Sequence, residues 1–144
     1  MKSEFLFSSG TSTSRVDLAG LILRLVAGGS MLYGHGLAKF QKVIAGGDIE
    51  FVNFMGMGMK TTYTLVMFAE FICAVLLVIG LFTRIALIPL VITMAYVVFV
   101  VHKADEFGSK ELPLIYLAAF FTLFLLGPGK YSLDRMIRSR KNTV

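Results

Sequence analysis

Residues 17–36 read DLAGLILRLVAGGSMLYGHG, a run that after its opening Asp17 is apolar except for Arg24 and His35. Its length suits a membrane-spanning helix, which needs roughly 20 residues to cross the hydrocarbon core. Arg24 decides how such a helix must be placed. An arginine at mid-span costs about 2.5–3.5 kcal/mol, while each Leu, Ile, Val or Phe returns only about 0.3–0.6 kcal/mol. The run holds just seven such residues, so Arg24 nearly cancels them. A charge that costly has to face other helices or a polar cavity. At 100° per residue, Arg24, Gly28, Met31, His35 and Lys39 fall within a sector of roughly 80°, which gives the helix one polar face.

The whole composition agrees with lipid as the solvent. The chain has 144 residues, of which 56% are hydrophobic and only 16% charged, against roughly 25% charged in soluble domains. A globule of this size would still expose about 30% of its unfolded surface. With 14 basic and 9 acidic residues, it could not coat that surface with charge. This argues against an ordinary cytoplasmic enzyme and against nucleic acid as a partner. One cysteine, Cys73, excludes an intrachain disulfide, a CxxC redox pair and a cysteine-based zinc site.

Three further apolar runs are predicted to span. They cover about residues 62–79, interrupted by Glu70 and closed by Gly80, about 84–101, and about 112–126, which opens with Pro113 and stops at Gly127-Pro128-Gly129. No strand pattern competes, because the runs exceed strand length and do not alternate with polar residues. The expected fold is therefore an all-α integral membrane protein, an antiparallel four-helix bundle over residues 16–129. Residues 1–15 read as a disordered tail. In the basic tail 130–144, Leu133, Met136 and Ile137 at helical spacing predict a short amphipathic surface helix. The loop after the first span carries FVNFMGMGM at 51–59, too apolar to float in water, and is expected to lie in the interface or fold over the bundle mouth.

Charge sets the expected orientation. With both termini inside, eight basic residues lie on the inner side (Lys2, Arg15, Arg84, Lys130, Arg135, Arg138, Arg140, Lys141) and five outside (Lys39, Lys42, Lys60, Lys103, Lys110). This bias favours N-in, C-in. His35, Lys39, His102 and Glu111 then reach the outer surface, and Glu70 lies roughly 12 Å below it at 1.5 Å per residue. The sequence thus predicts a funnel of polar groups opening outward, with Arg24 deeper and the Phe51–Met59 loop as its roof. Helix N-termini of the second and fourth spans add positive potential there, which favours an anionic or quinone-like oxygen, although Glu70 and Glu111 oppose it.

The candidate pocket residues are Arg24, His35, Lys39, Glu70, His102 and Glu111, each with a plainer reading beside it. Arg24 and Glu70 suit an ion pair that fixes helix register as well as a site. The histidines suit ordinary interfacial residues. With Glu70 and Glu111 they make a set that zinc or iron accepts, yet no HxxxH or ExxH spacing supports it. Met55, Met57 and Met59 offer thioethers to Cu(I), and equally fill irregular apolar contacts. Gly28 with Gly29, and Gly34 with Gly36, are expected where helices approach closely.

Several of these pieces occur in one order: Arg24-Leu25 followed by glycines, GHGLAKF at 34–40, Glu70 within AEF, GLFTR at 80–84, His102, and GPGKYSLD at 127–134. Together, over about residues 16–135, they resemble the DoxX family of small bacterial membrane proteins. The resemblance implies four membrane helices in the bacterial inner membrane. It also implies relatives that include a subunit of a thiosulfate:quinone oxidoreductase and partners of redox-stress enzymes. Arg24, His35, Lys39, Glu70 and His102 match recurring positions of that pattern. The chain departs from it where Lys60, rather than proline, follows Gly58-Met59.

Two functions of different class follow. The first is an accessory or subunit of a membrane redox system, its funnel holding a quinone headgroup or small sulfur compound. The sequence carries no haem, flavin or nucleotide motif and no thiol pair, so electrons must come from a bound small molecule or from a redox enzyme partner. The second is a non-catalytic binder or carrier of a small anion or lipid, or a structural partner in another membrane complex, with the oligomeric state open.

Overall fold

The computed structural model describes residues 13–141, and within them four helices are long and apolar enough to cross a membrane. They are α1 (Thr13–Ala45), α2 (Met59–Ile79), α3 (Thr83–Val101) and α4 (Phe107–Leu126), followed by a short α5 (Leu133–Lys141). Sequence neighbours pack side by side and α4 closes the ring on α1, giving the expected antiparallel bundle. No strand occurs among the described residues.

The bundle is closed at the end where α1 begins and α4 ends, and through its middle. There Ala27, Met31, Cys73, Ala74, Leu77, Ala86, Leu87, Leu90, Phe120 and Leu123 form one buried cluster. Small residues at the crossings allow the close approach, but not all the glycines take part. A Cβ on Gly28 would touch Val78 at 3.0 Å, and one on Gly36 would lie 2.2 Å from the Glu70 carbonyl oxygen, whereas Gly29 and Gly34 face open space.

The expected end of the first span at Gly36 is corrected by the structure. The helix runs on to Ala45 because residues Leu32–Gly36 form a π-helical turn, in which the Leu37 amide donates to the Leu32 carbonyl. One extra residue per turn lets the glycine-rich YGHG segment stay helical where a break was expected. The other spans also begin earlier than expected, α4 by the largest margin, since Pro113 is carried within the helix rather than at its start. Of the expected tail, residues 13–15 belong to α1, and the remainder lies outside the described residues.

Arg24 sits at the closed end, beside the turn that follows α4. It is 3% exposed and donates from Nη1 to the Pro128 carbonyl (2.7 Å) and from Nη2 to the Tyr131 carbonyl (2.6 Å). Its expected partnership with Glu70 is therefore corrected, and, though a pocket candidate, it is not among the residues that line the cavity described below. The turn after α4 presents unpaired carbonyls that a guanidinium fork satisfies at that depth. Asp134, from the first turn of α5, accepts the Phe82 and Thr83 amides (2.8 and 2.9 Å) and the Thr83 hydroxyl (2.8 Å). This carboxylate caps the N-terminus of α3 and holds Phe82 at its left-handed φ of 49°. GLFTR and GPGKYSLD are thus two halves of one structural staple, and α5 leaves Leu133, Met136 and Ile137 exposed, as an interfacial helix should. Asp134→Ala should cost about 1–2 kcal/mol through the lost cap, seen as a lower detergent denaturation midpoint and faster hydrogen exchange at the Phe82 and Thr83 amides.

Candidate functional site: a cavity beneath the α1–α2 loop

At the other end the bundle is open. A cavity of about 580 Å³ lies among α1, α2, α3, α4 and the α1–α2 loop. Its walls are mostly apolar, including Met31, Leu65, Val66, Phe68, Ile92, Val97 and Leu112, and its acidic and basic side chains are His35, Lys39, Glu70 and His102. That is the size and make-up of a small-molecule site, apolar with a few placed polar groups.

Irregular helix geometry surrounds it. Three π-helical turns, Leu32–Gly36, Phe68–Cys73 and Val97–Val101, hold His35, hold Glu70 and immediately precede His102. Pro89 and Pro113, each inside a helix, line the same space. Single π turns inside α-helices are frequent at functional sites because they displace side chains that a regular helix would align with its neighbours. Glu70 is 4% exposed and lines the cavity.

Glu70 pairs with Lys39, Nζ to Oε2 at 2.5 Å, so the cavity's two full charges neutralise one another. The Lys39 side chain keeps 19% of its surface exposed and that of Glu70 6%. The His35 ring meets the Tyr116 ring edge-to-face at 5.9 Å, and Tyr116 in turn stacks on buried Phe120 at 5.7 Å. His102 Nδ1 is 2.7 Å from Asp105 Oδ2. That contact fixes the ring and leaves Nε2 without a partner among the described residues.

The roof is shorter than expected. Phe51, Val52 and Phe54 line the cavity, whereas Met55, Met57 and Met59 are exposed and do not. Phe51 packs edge-to-face on Tyr63 (5.1 Å) and Phe54 on Tyr96 (4.6 Å), while the Phe54 amide donates to the Thr62 hydroxyl (3.0 Å). The loop is thereby tied to both α2 and α3 and supplies part of the expected roof.

Glu111 is corrected outright, being exposed and outside the cavity lining. Because α4 starts at Phe107, Glu111 lies about 140° around the helix from Tyr116, which does line it. The set of His35, His102, Glu70 and Glu111 is not assembled either, since no three His, Cys, Asp or Glu side chains among the described residues gather closely enough to hold one metal ion. Sequence reasoning missed Tyr96, Thr93 and Tyr116. Their only signal was a polar residue recurring on one face of an apolar helix.

The family model DoxX matches residues 19–103. A Bacillus subtilis protein named "Putative oxidoreductase CatD" is 30% identical over 128 residues, covering 88% of this chain and 92% of that protein. No solved structure matches. The match to the family model over most of the transmembrane region, together with a relative aligned nearly end to end, identifies the chain as a member of the DoxX family.

Proposed function

We propose that this DoxX membrane protein is an accessory or subunit of a membrane redox system, and that its outer cavity binds a redox-active guest, either a quinone headgroup or a small sulfur compound. The observation that carries the reading is the neutral Lys39–Glu70 pair set in apolar walls beside His35 and His102. Lys39 supplies a donor for a carbonyl or sulfoxy oxygen. Glu70 and the two imidazoles can take or give protons as a guest changes redox state. The electrons come from a redox centre on a partner protein, and the oxidoreductase name carried by the Bacillus subtilis relative supports a redox setting.

The chain is placed in the bacterial inner membrane with N-in, C-in orientation, from the excess of basic residues on the side of the termini. The cavity then faces outward. Single cysteines at Ser9 and Ser139 should be protected from a membrane-impermeant maleimide in intact cells and react after lysis. Native Cys73, 2% exposed, gives little background. Labelling of either position in intact cells would overturn the orientation.

Binding is tested with a dimethoxymethylbenzoquinone carrying a decyl tail, the same ring without a tail, and thiosulfate, on purified protein in nanodiscs. His35→Ala, Glu70→Gln and His102→Ala should each weaken the guest's binding by about tenfold or more, the worth of a hydrogen bond to a charged group. Arg84→Ala, at the inner turn, should leave it unchanged. Full binding by all three folded variants would favour a structural-partner role instead.

A further inference from the structure

The proposed function leaves open whether the guest arrives from water or from lipid, and the shape of the cavity bears on that choice. Its mouth is partly covered by the α1–α2 loop. The Phe51–Phe54 segment crosses from Tyr63 on α2 to Tyr96 on α3, and its backbone is pinned by Thr62. Its lateral side is not. The outer half of α2, Met59–Met67, leans on the outer segment Leu37–Ala45 of α1, and close packing of α2 on α3 begins only at the π-helical turn Phe68–Cys73. Between the two helices a slit remains. Leu65, Phe68 and Ile92 line the cavity and are nonetheless 50%, 45% and 56% exposed. In a spanning helix such exposure faces acyl chains, so these three side chains are shared by the cavity wall and the lipid-facing surface.

Charge narrows the guest further. Lys39 and Glu70 are the only full charges in the described lining besides the histidines, and they are joined to each other. A net anion would have to displace Glu70 and strand it in apolar surroundings, and a cation would do the same to Lys39. An uncharged head with carbonyl or hydroxyl oxygens needs neither.

Resting on the redox reading above, we infer that the cavity is loaded from the bilayer through the α2–α3 slit, and that its guest is a single-tailed lipid-soluble carrier of the quinone type. The uncharged ring lies beside Lys39 and His35, and the hydrocarbon tail runs out over Leu65, Phe68 and Ile92. A water-soluble sulfur compound does not fit this route. The dione and dihydroxy forms of such a ring are both uncharged, so either can pass the same slit.

Photolabelling of the full-length wild-type chain in nanodiscs of phosphatidylethanolamine and phosphatidylglycerol tests this without depending on any variant folding. Two decyl-tailed benzoquinones are used, one with a diazirine at the end of the tail and one with a diazirine on the ring. The expected result is tail adducts on Leu65, Phe68, Ile92 or adjacent lipid-facing positions of α2 and α3, with ring adducts on cavity residues such as His35 or Tyr116. Both should be displaced by the unmodified decyl quinone, and at least about tenfold less well by the tail-less ring, whose missing methylenes forfeit apolar burial. Ring adducts in the cavity with tail adducts on the Phe51–Phe54 roof would overturn the lateral route while leaving quinone binding intact. Displacement by the tail-less ring or by thiosulfate as effective as by the decyl quinone would overturn the lipid-soluble guest. Absence of ring adducts from the cavity would overturn the inference together with the quinone half of the binding reading beneath it.

Discussion

Gly36→Ala is expected to lower the thermal midpoint in detergent by roughly 10 °C, the shift that a loss of about 3 kcal/mol gives in a chain of this size. The cause is a contact that cannot relax cheaply. A Cβ at Gly36 would stand 2.2 Å from the Glu70 carbonyl oxygen, 2.6 Å from its carbon and 2.9 Å from the Phe71 Cα, all of them backbone atoms. Overpacking against a flexible side chain costs about 1–3 kcal/mol, and against backbone the two helices must separate. Both of these helices are π-helical at the crossing, so separation would also disturb the turns that hold His35 and Glu70. Gly29→Ala serves as the control, since a Cβ there meets nothing within 4 Å and the residue lies inside α1. It should be neutral or gain up to about 1 kcal/mol in helix propensity. Equal midpoints for the two variants would show that the crossing at Gly36 does not limit stability.

The contrast between Gly36 and Gly29 also illustrates what a linear reading can and cannot recover. Both are glycines in the same apolar run, and composition treats them alike. Only the crossing of α1 over α2 separates them. Span number and order followed from run length and from the terminators Gly80 and Gly127-Pro128-Gly129, because lipid leaves no other solution for such runs. Arg24 was correctly expected to point inward, since any other direction is too expensive. Its partner was misassigned for a geometrical reason. One face of a helix extends along its whole length, and Arg24 and Lys39 share that face while standing ~22 Å apart at 1.5 Å per residue. A shared face is not a shared site. The π-helical turns were hidden because an i→i+5 turn leaves no period in the sequence beyond glycines that read equally well as a helix stop. Because α1 continues through YGHG, Lys39 stays on the helix and stands beside Glu70. Glu111 went the other way, because an earlier start of α4 turned it outward.

The pairing that replaces Arg24–Glu70 makes the second large prediction. Glu70→Ala leaves the Lys39 ammonium in an apolar cavity, and Lys39→Ala leaves the Glu70 carboxylate with 6% of its surface exposed. Removing one member of a buried pair costs roughly 3–5 kcal/mol, and the partial exposure of Lys39 puts its stranding at the lower end, near roughly 3 kcal/mol. The carboxylate is the more deeply held partner, so Lys39→Ala should be the worse of the two. The double variant Lys39→Met/Glu70→Leu, which strands neither charge, should recover most of the loss, because well-packed apolar side chains often replace a buried pair at little cost. Arg24→Met, by contrast, should combine additively with Glu70→Ala, because Arg24 is engaged at the Pro128 and Tyr131 carbonyls and the two sites share no partner. Denaturation midpoints for the two cycles are the measurement. Non-additivity confined to Lys39 and Glu70 is the expected outcome, and coupling between Arg24 and Glu70 instead would contradict the arrangement. Quinone binding by the stable double variant then separates the pair's two roles. A folded bundle that has lost the guest would mean that this neutral pair is kept inside the membrane for recognition, since stability alone does not require it.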